Sequence, residues 1–189
     1  MRHKYETRGI VLSRTPAGEA NAFITLLTAD MGVVRARAQG VRRSGAKLSS
    51  ALATFAENEL VLVRGREQWR IAGAVLKENW FFKMHKKMPR ERAARISHLL
   101  LRLVVGETRD EKLFPIIKNF FEALVELPEN FQEAAEILAA LRILAALGFD
   151  TGEISSDASP FAPGILADIM KNRTSYIARI NRGIEASGL

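Results

Sequence analysis

The chain has 189 residues, 48% of them hydrophobic, so it can bury a core as one large domain or as two small ones. It contains no cysteine, which excludes disulfide scaffolds, cysteine-ligated zinc and thiol nucleophiles. Its net charge of +7 is uneven, because residues 1–95 hold 19 Lys/Arg against 8 Asp/Glu and residues 96–189 hold 9 against 13. The basic front half predicts an anionic partner, either nucleic acid or a membrane surface.

No targeting or membrane segment is predicted. The first nine residues, MRHKYETRG, are not followed by the apolar run of a signal peptide. The apolar run at residues 99–105 is interrupted by Arg102 and is too short to span a bilayer. We therefore expect a soluble, intracellular protein.

The front half is rich in β-forming residues with turn residues between them. Gly9 suggests a bend or bulge within the first strand, and Gly32 suggests a positive φ in the turn before the third. Trp69, Ile71, Gly73 and Val75 are expected to share one face of the fifth strand. The predicted strands are residues 4–14, 21–28, 33–39, 57–64 and 68–76. Five short strands with no strong helix before residue 83 predict a small β-barrel.

The back half has helical periodicity. Apolar residues recur at helical spacing from residue 91 onward, and Gly106 and Gly148 follow two of the apolar runs. The predicted helices are residues 91–105, 111–127 and 129–147, followed by one or two over 164–186. This pattern is typical of an all-α bundle. We expect two domains, residues 1–82 and residues 83–189.

One stretch of the barrel, Gly32–Leu52, carries five cations and no acid, and we call it the basic segment. Strand alternation places Val34, Ala36 and Ala38 inward and Arg35 and Arg37 outward. Arg42, Arg43 and Lys47 follow in a Gly- and Ser-bearing loop, which we expect to be mobile and to close over a bound backbone. The alternative is an ordinary solvated surface.

Cations elsewhere in the barrel extend this prediction. Arg8, Arg14, Arg64, Arg66 and Arg70 add charge from other strands and turns. The aromatic residues of the barrel, Phe23, Phe55 and Trp69, are expected mainly in its core. Of the three, Trp69, flanked by Arg66 and Arg70, is the best candidate for stacking on a base. The predicted nucleic-acid-binding residues are Arg14, Arg35, Arg37, Arg42, Arg43, Lys47, Arg66, Trp69 and Arg70.

The residues needed for catalysis or metal binding are not found. Residues 40–48 approach a nucleotide phosphate loop, but Ala46 separates Gly45 from Lys47, and Leu48 stands where Ser or Thr is needed. His3, His85 and His98 lack partners at ligand spacing, and no serine has a nucleophile-elbow context. We expect neither enzymatic activity nor a metal or cofactor.

The second predicted helix carries a wide apolar stripe. It comprises Leu113, Phe114, Ile117, Phe120, Phe121, Leu124 and Leu127. This stripe is either core or, with Lys112, Lys118 or Arg142 at its rim, a groove for an acidic peptide.

An ordered set of short motifs runs along the chain. In the front half these are Arg8–Leu12, Gly18-Glu19, Leu26–Thr28, Gly32 and Ala38–Arg43; in the back half they are Lys112–Phe114, Leu141–Phe149 and Ile177–Asn181. Together they resemble the RecO recombination-mediator family of bacterial DNA repair over nearly the whole chain.

The resemblance implies an α+β fold, with an N-terminal five-stranded OB-fold β-barrel followed by an all-α helical domain. It implies binding of single- and double-stranded DNA, annealing of complementary strands, and help in loading the recombinase RecA onto strands coated with single-stranded-DNA-binding protein. It implies RecR and the acidic C-terminal tail of that coating protein as partners, in a bacterial, nucleoid-associated, cytoplasmic setting. Two features depart from the family: Gln39 stands where Lys is usual, and residues 150–160 lack the cysteines that bind zinc in some members.

Two other functions fit the same residues. An RNA-binding OB-fold protein of translation or RNA handling would need the same barrel and charge. A protein-interaction adaptor could use the basic face to meet an acidic partner.

Overall fold

The computed structural model describes residues 3–43, 45–46, 48–66, 68–104, 106, 110–153 and 160–189. The chain divides into two compact units. The barrel unit comprises residues 1–83 and 106–114, and the helical unit comprises residues 84–105 and 115–189.

Five strands close into a barrel. They are β1 (Lys4–Ala17), β2 (Asn21–Thr28), β3 (Gly32–Ala38), β4 (Ala56–Arg64) and β5 (Trp69–Asn79). Their order around the barrel is β1-β2-β3-β5-β4, and β4 pairs back onto β1. Only the β3–β5 pairing is parallel. A closed five-stranded barrel followed by helices confirms the predicted fold class, an OB-fold barrel with an all-α part.

The barrel core follows strand alternation. Alternate residues of β2 and β3 face inward. Those that are fully buried include Ile24, Leu26, Val34 and Ala36. Gly32 has a φ of 69°, which confirms the expected left-handed residue at the β2–β3 turn. Burying such a set of β-branched and aliphatic side chains is the main stabilising term for the barrel.

The first strand differs from its prediction. It continues to Ala17, beyond the predicted end at residue 14, and its pairing with β2 shifts register between Val11 and Ser13 rather than at Gly9. Gly9 lies between β2 and β4, where a Cβ would stand 2.6 Å from Cδ1 of Leu60. Glycine is therefore needed here for close packing and not for a bulge.

The fifth strand also departs from simple alternation. Its pairing with β4 shifts register between Val61 and Leu62, so the strand faces exchange beyond that point. Ala74 packs against the core, whereas Val75 is 61% exposed. The prediction that Val75 shares the inward face of Trp69 is wrong, because the bulge was not visible in the sequence.

Six helices complete the described chain: α1 (Trp80–Lys83), α2 (Lys87–Leu103), α3 (Leu113–Glu126), α4 (Glu129–Ala146), α5 (Pro163–Lys171) and α6 (Arg173–Ala186). Within the helical unit, α4 packs against α2, α5 and α6. Its buried residues point in all directions, as expected for a central helix. The buried Gln132 of α4 donates from Nε2 to the carbonyls of Leu124 and Leu127, which satisfies acceptors at the end of α3.

The apolar stripe of the second predicted helix is core. Phe120, Phe121 and Leu124 on α3 are between 0% and 2% exposed. Lys118, proposed for the rim, pairs with Glu122 one turn along the same helix. The groove prediction for this stripe is therefore wrong, and its alternative, core packing, is confirmed.

Candidate nucleic-acid interface

The outer face of β3 presents two arginines on a rigid strand. Val34, Ala36 and Ala38 are fully buried behind them. Arg35 is exposed and Arg37 is half-buried, as alternation predicts. Two residues along a strand span about 7 Å, so these side chains can reach successive phosphates of an extended backbone.

Barrel closure brings a third arginine beside them. Arg70 is the Cα partner of Arg37 in the short parallel pairing of β3 with β5. Its Nη2 donates to Oε1 of Gln39 at 3.3 Å, so the residue that replaces the family's usual lysine touches this group. The Nε of Arg37 is buried and has no acceptor among the described residues. Because this nitrogen is itself buried, the half-buried Arg37 offers an anionic ligand its positive charge rather than this donor.

Phe23, which is expected from the sequence in the barrel core, lies on the same face. Phe23 of β2 is the Cα partner of Arg37 and is only half-buried. The guanidinium carbon of Arg35 lies over the Phe23 ring, 4.2 Å from its centroid. The sequence signal was present, because Phe23 alternates with the inward-facing Ala22 and Ile24.

The loop after β3 is held against the β1–β2 turn. Val41 is 1% exposed, and the backbone N–H of Arg42 donates to the carbonyl of Ala20 at 3.0 Å. The Arg42 guanidinium donates to the carbonyl of Gly18 at 2.5 Å, and that of Arg14 reaches the carbonyl of Val41 at 3.4 Å. The described part of the loop is thus packed down, contrary to the expected mobile loop.

Three further cations were predicted in loops, and two of them are exposed in the described part of the chain. Arg43 is exposed on the same loop, whereas Lys47 lies outside the described residues. Arg66 is exposed in the β4–β5 turn. In OB-folds the face of β2 and β3 and the β1–β2 and β4–β5 loops form the ligand surface, and Arg66 lies in the second of these loops.

Trp69 is not available as a stacking surface. It is 7% exposed and belongs to the barrel core. Tyr5 packs edge-on against its ring with centroids 5.1 Å apart, and the Arg64 guanidinium lies 4.8 Å from the ring centroid. The prediction that Trp69 stacks on a base is therefore wrong, because the inward face of β5 includes it.

The cations of this face and those of the helical unit differ in whether a carboxylate lies near them. Among the described residues, no carboxylate lies within 4.0 Å of Arg35, Arg37 or Arg70. In the helical unit, by contrast, Arg92 and Arg95 share Glu136. The barrel face therefore keeps its positive charge for an external partner.

Two further features bear on the class of site. Within the described ranges, no three His, Cys, Asp or Glu side chains cluster in a way that could hold a metal ion. No helix in the described part of the chain is both long enough and apolar enough to cross a membrane.

Comparison with known proteins agrees with the geometry. The family model for the N-terminal part of recombination protein O matches residues 1–80. The barrel part of the chain therefore belongs to the RecO family. The match covers the whole barrel from β1 to β5, and therefore the cationic face described above.

Individual relatives extend the similarity beyond the barrel. The chain is 41% identical over 80 residues to DNA repair protein RecO of Acaryochloris marina, a segment that makes up 42% of this chain and 27% of that protein. It is 31% identical over 149 residues to DNA repair protein RecO of a Synechococcus species, covering 74% of this chain and 50% of the relative. The match to the Nostoc protein of the same name is 28% over 157 residues, covering 82% and 53%. The chain thus spans about half the length, or less, of these RecO family members.

Proposed function

We propose that this chain is a DNA-binding recombination mediator that acts in DNA repair. In this role it binds single- and double-stranded DNA, anneals complementary strands, and helps load a recombinase onto strands coated with single-stranded-DNA-binding protein. The observation that carries the proposal is a group of arginines, Arg35, Arg37 and Arg70, on the outer face of an OB-fold barrel, with no carboxylate within 4.0 Å among the described residues. The names of the relatives, DNA repair protein RecO, give the biological setting.

The mechanism is electrostatic. The arginines of β3 and β5 neutralise phosphates and release condensed counterions, which favours binding of any sequence. Neutralising the backbones of two strands on one face lowers the repulsion that opposes their pairing. This role requires binding and release without a bond-making step, so we propose that the protein is not an enzyme.

Removing two arginines of the face tests the proposal. Arg37→Ala with Arg70→Ala should weaken binding of labelled single-stranded and duplex DNA by about tenfold per residue, since a charge-assisted hydrogen bond contributes about 1.5 kcal/mol. The plot of log affinity against log salt should become shallower by about one unit per lost contact. Anisotropy titrations at several salt concentrations measure both quantities.

A charge-matched control separates the face from net charge. Arg102→Ala with Lys171→Ala also removes two exposed cations, both from the helical unit and neither in an ion pair among the described residues. The control should keep the affinity and the salt slope close to those of the wild type. Equal losses in both double variants would refute the assignment of the face. A marked preference for RNA of the same sequence would favour the RNA-handling alternative.

Annealing is tested separately from binding. Two complementary oligonucleotides carrying a donor and an acceptor dye report duplex formation as energy transfer. The wild-type chain should speed the transfer, and the Arg37 and Arg70 double variant should not. Tight binding without any acceleration would reject the annealing part of the proposal and leave the binding part standing.

The proposed protein partners are RecR, RecA acting indirectly, and the acidic tail of single-stranded-DNA-binding protein. A cavity of about 710 Å³ in the helical unit supports a site for such a tail, because isoleucines of α2, α4 and α6 line it. The lining also holds two arginines that both pair with Glu136, so the proposal rests on the apolar surface and not on free positive charge. The cavity lining includes Arg92, Arg95, Ile177 and Ile180. With these partners, the proposed place of action is the bacterial cytoplasm, at the nucleoid.

Binding of the acidic tail to this cavity can be measured with a labelled peptide. Polarisation of a labelled peptide with the acidic tail sequence should rise with added protein, and Ile180→Glu should abolish the rise by placing a negative charge in the cavity. Val125→Glu puts the same charge on an exposed position of α3 that does not line the cavity, and it should leave binding unchanged. Equal binding by all three proteins would exclude this cavity.

A further inference from the structure

Phe23 and Arg35 form a stacked pair on the outer face of the barrel. Phe23 lies opposite Arg37 in the β2–β3 register, and Arg35 lies opposite Thr25, so the Arg35 side chain crosses diagonally to reach the ring. Its guanidinium carbon stands 4.2 Å from the ring centroid. At that distance the guanidinium is held in place by cation–π attraction and dispersion.

The Arg35 side of this pair is open to a ligand. Arg35 is exposed, and no hydrogen bond or ion pair engages its guanidinium among the described residues. The Phe23 ring lies on one side of this guanidinium, and the exposure of Arg35 leaves another side to solvent. That side can accept another flat group, and a nucleobase is the flat group that an extended strand on this barrel would offer.

The neighbouring cations can hold the backbone of the same strand. Arg37 is opposite Phe23 on β3, and Arg70 is beside Arg37 on β5, so both flank the stacked pair. Arg37 is half-buried and no carboxylate lies within 4.0 Å of it among the described residues, so its charge is available to a phosphate of that strand. A base on Arg35 and its phosphate on Arg37 would be about one strand repeat apart, about 7 Å.

We propose that Phe23 and Arg35 form a stacking platform for an unpaired nucleobase, which makes this face selective for single-stranded over duplex DNA. The proposal rests on the proposed DNA-binding function and deepens it. In a duplex the bases are stacked on one another and paired, so only phosphates reach the arginines. A single strand gains the stacking contact as well.

Two conservative variants isolate the platform. Phe23→Leu keeps an apolar side chain but removes the aromatic ring, and Arg35→Lys keeps the charge but removes the plane. Each should weaken binding of single-stranded DNA by on the order of tenfold. Each should change duplex binding less than about twofold and leave the salt slope unaltered, since the phosphate contacts remain.

A strand with abasic sites supplies the decisive comparison. It keeps the phosphates and lacks the bases, so the wild type should bind it about tenfold more weakly than the ordinary strand. The two variants should bind ordinary and abasic strands alike. Phe82→Leu and Arg102→Lys make the same chemical changes at exposed positions on α1 and α2, and they should behave like the wild type on every probe.

The outcomes separate this inference from the function on which it rests. Equal losses by the variants on single-stranded, duplex and abasic DNA would overturn the platform and leave phosphate binding intact. Unchanged binding by both variants would also overturn it. A wild-type chain that binds none of the three probes would overturn the DNA-binding function itself.

Discussion

Arg179 of α6 holds the segment after α4 in place, and removing its carboxylate partner should destabilise the helical unit. Its Nε and Nη2 donate to the two carboxylate oxygens of Asp150 at 2.7 and 2.5 Å. The same guanidinium donates to the carbonyls of Gly152 and Glu153. The Arg179 guanidinium therefore links α6 to the segment that follows α4.

The structure allows an estimate of the cost. The side chains of Asp150 and Arg179 are only 7% and 16% exposed. Breaking a fully buried ion pair costs about 3–5 kcal/mol. Because Arg179 keeps two carbonyl acceptors and some solvent contact, we expect Asp150→Asn to cost about 2–3 kcal/mol. Glu185→Gln, an exposed position on the same helix without an ion pair among the described residues, should cost less than about 0.5 kcal/mol.

Urea unfolding followed by two signals measures this. Both tryptophans, Trp69 and Trp80, lie in the barrel unit, so their fluorescence follows the barrel, while circular dichroism at helical wavelengths follows mainly the helices. Asp150→Asn should lower the midpoint of the dichroism transition with an unchanged slope. A midpoint equal to that of Glu185→Gln would refute the reasoning.

The pH dependence gives a second, independent check. Hydrogen bonding to Arg179 lowers the pKa of Asp150 below its ordinary value. A carboxyl group with a lowered folded-state pKa stabilises the protein above its unfolded pKa, about 3.9, and this contribution is lost as the pH falls through the folded value. The stability difference between the wild type and Asp150→Asn should therefore be full at neutral pH and shrink below about pH 4. A difference that stays constant into that acid range would mean that the charge of Asp150 is not the cause.

Three further substitutions test the packing of each unit. Ile24→Ala, at a fully buried barrel position, should cost about 2–5 kcal/mol by tryptophan-monitored unfolding, and a cost under about 1 kcal/mol would show that the core collapses around the gap. Gly9→Ala should cost about 1–3 kcal/mol in the same assay, because its Cβ would press on buried Leu60, and a neutral effect would show that Leu60 can move aside. Glu136→Ala should cost about 1–3 kcal/mol by dichroism, since it leaves Arg92, 13% exposed, without its carboxylate, and no loss would mean that water replaces the pair.

Much of the barrel and of its basic face could be predicted from local patterns. Alternation alone placed Val34 inward and Arg35 and Arg37 outward, and the glycine before β3 marked the turn. These features depend on neighbours within a few residues, and the two-residue period of a strand makes them readable. The acid-free run of the basic segment likewise lies on one stretch of chain, so composition was enough to find it.

Features that depend on the partner strand could not be predicted in this way. The register shift between β4 and β5 exchanged the faces of β5, which turned Val75 outward, and barrel closure made Trp69 part of the core. Each was assigned wrongly from the sequence, because a bulge and the closure of a barrel depend on pairing between residues far apart in the chain.

The residues of the nucleic-acid interface were likewise predictable from the sequence only in part. The sequence by itself determined that β3 carries two outward arginines with no acid nearby. Only the tertiary structure decided that Arg70 stands beside Arg37 and that Phe23 lies beneath Arg35. The physical reason is that a strand's own alternation decides which way a side chain points, whereas cross-strand register decides which side chains meet.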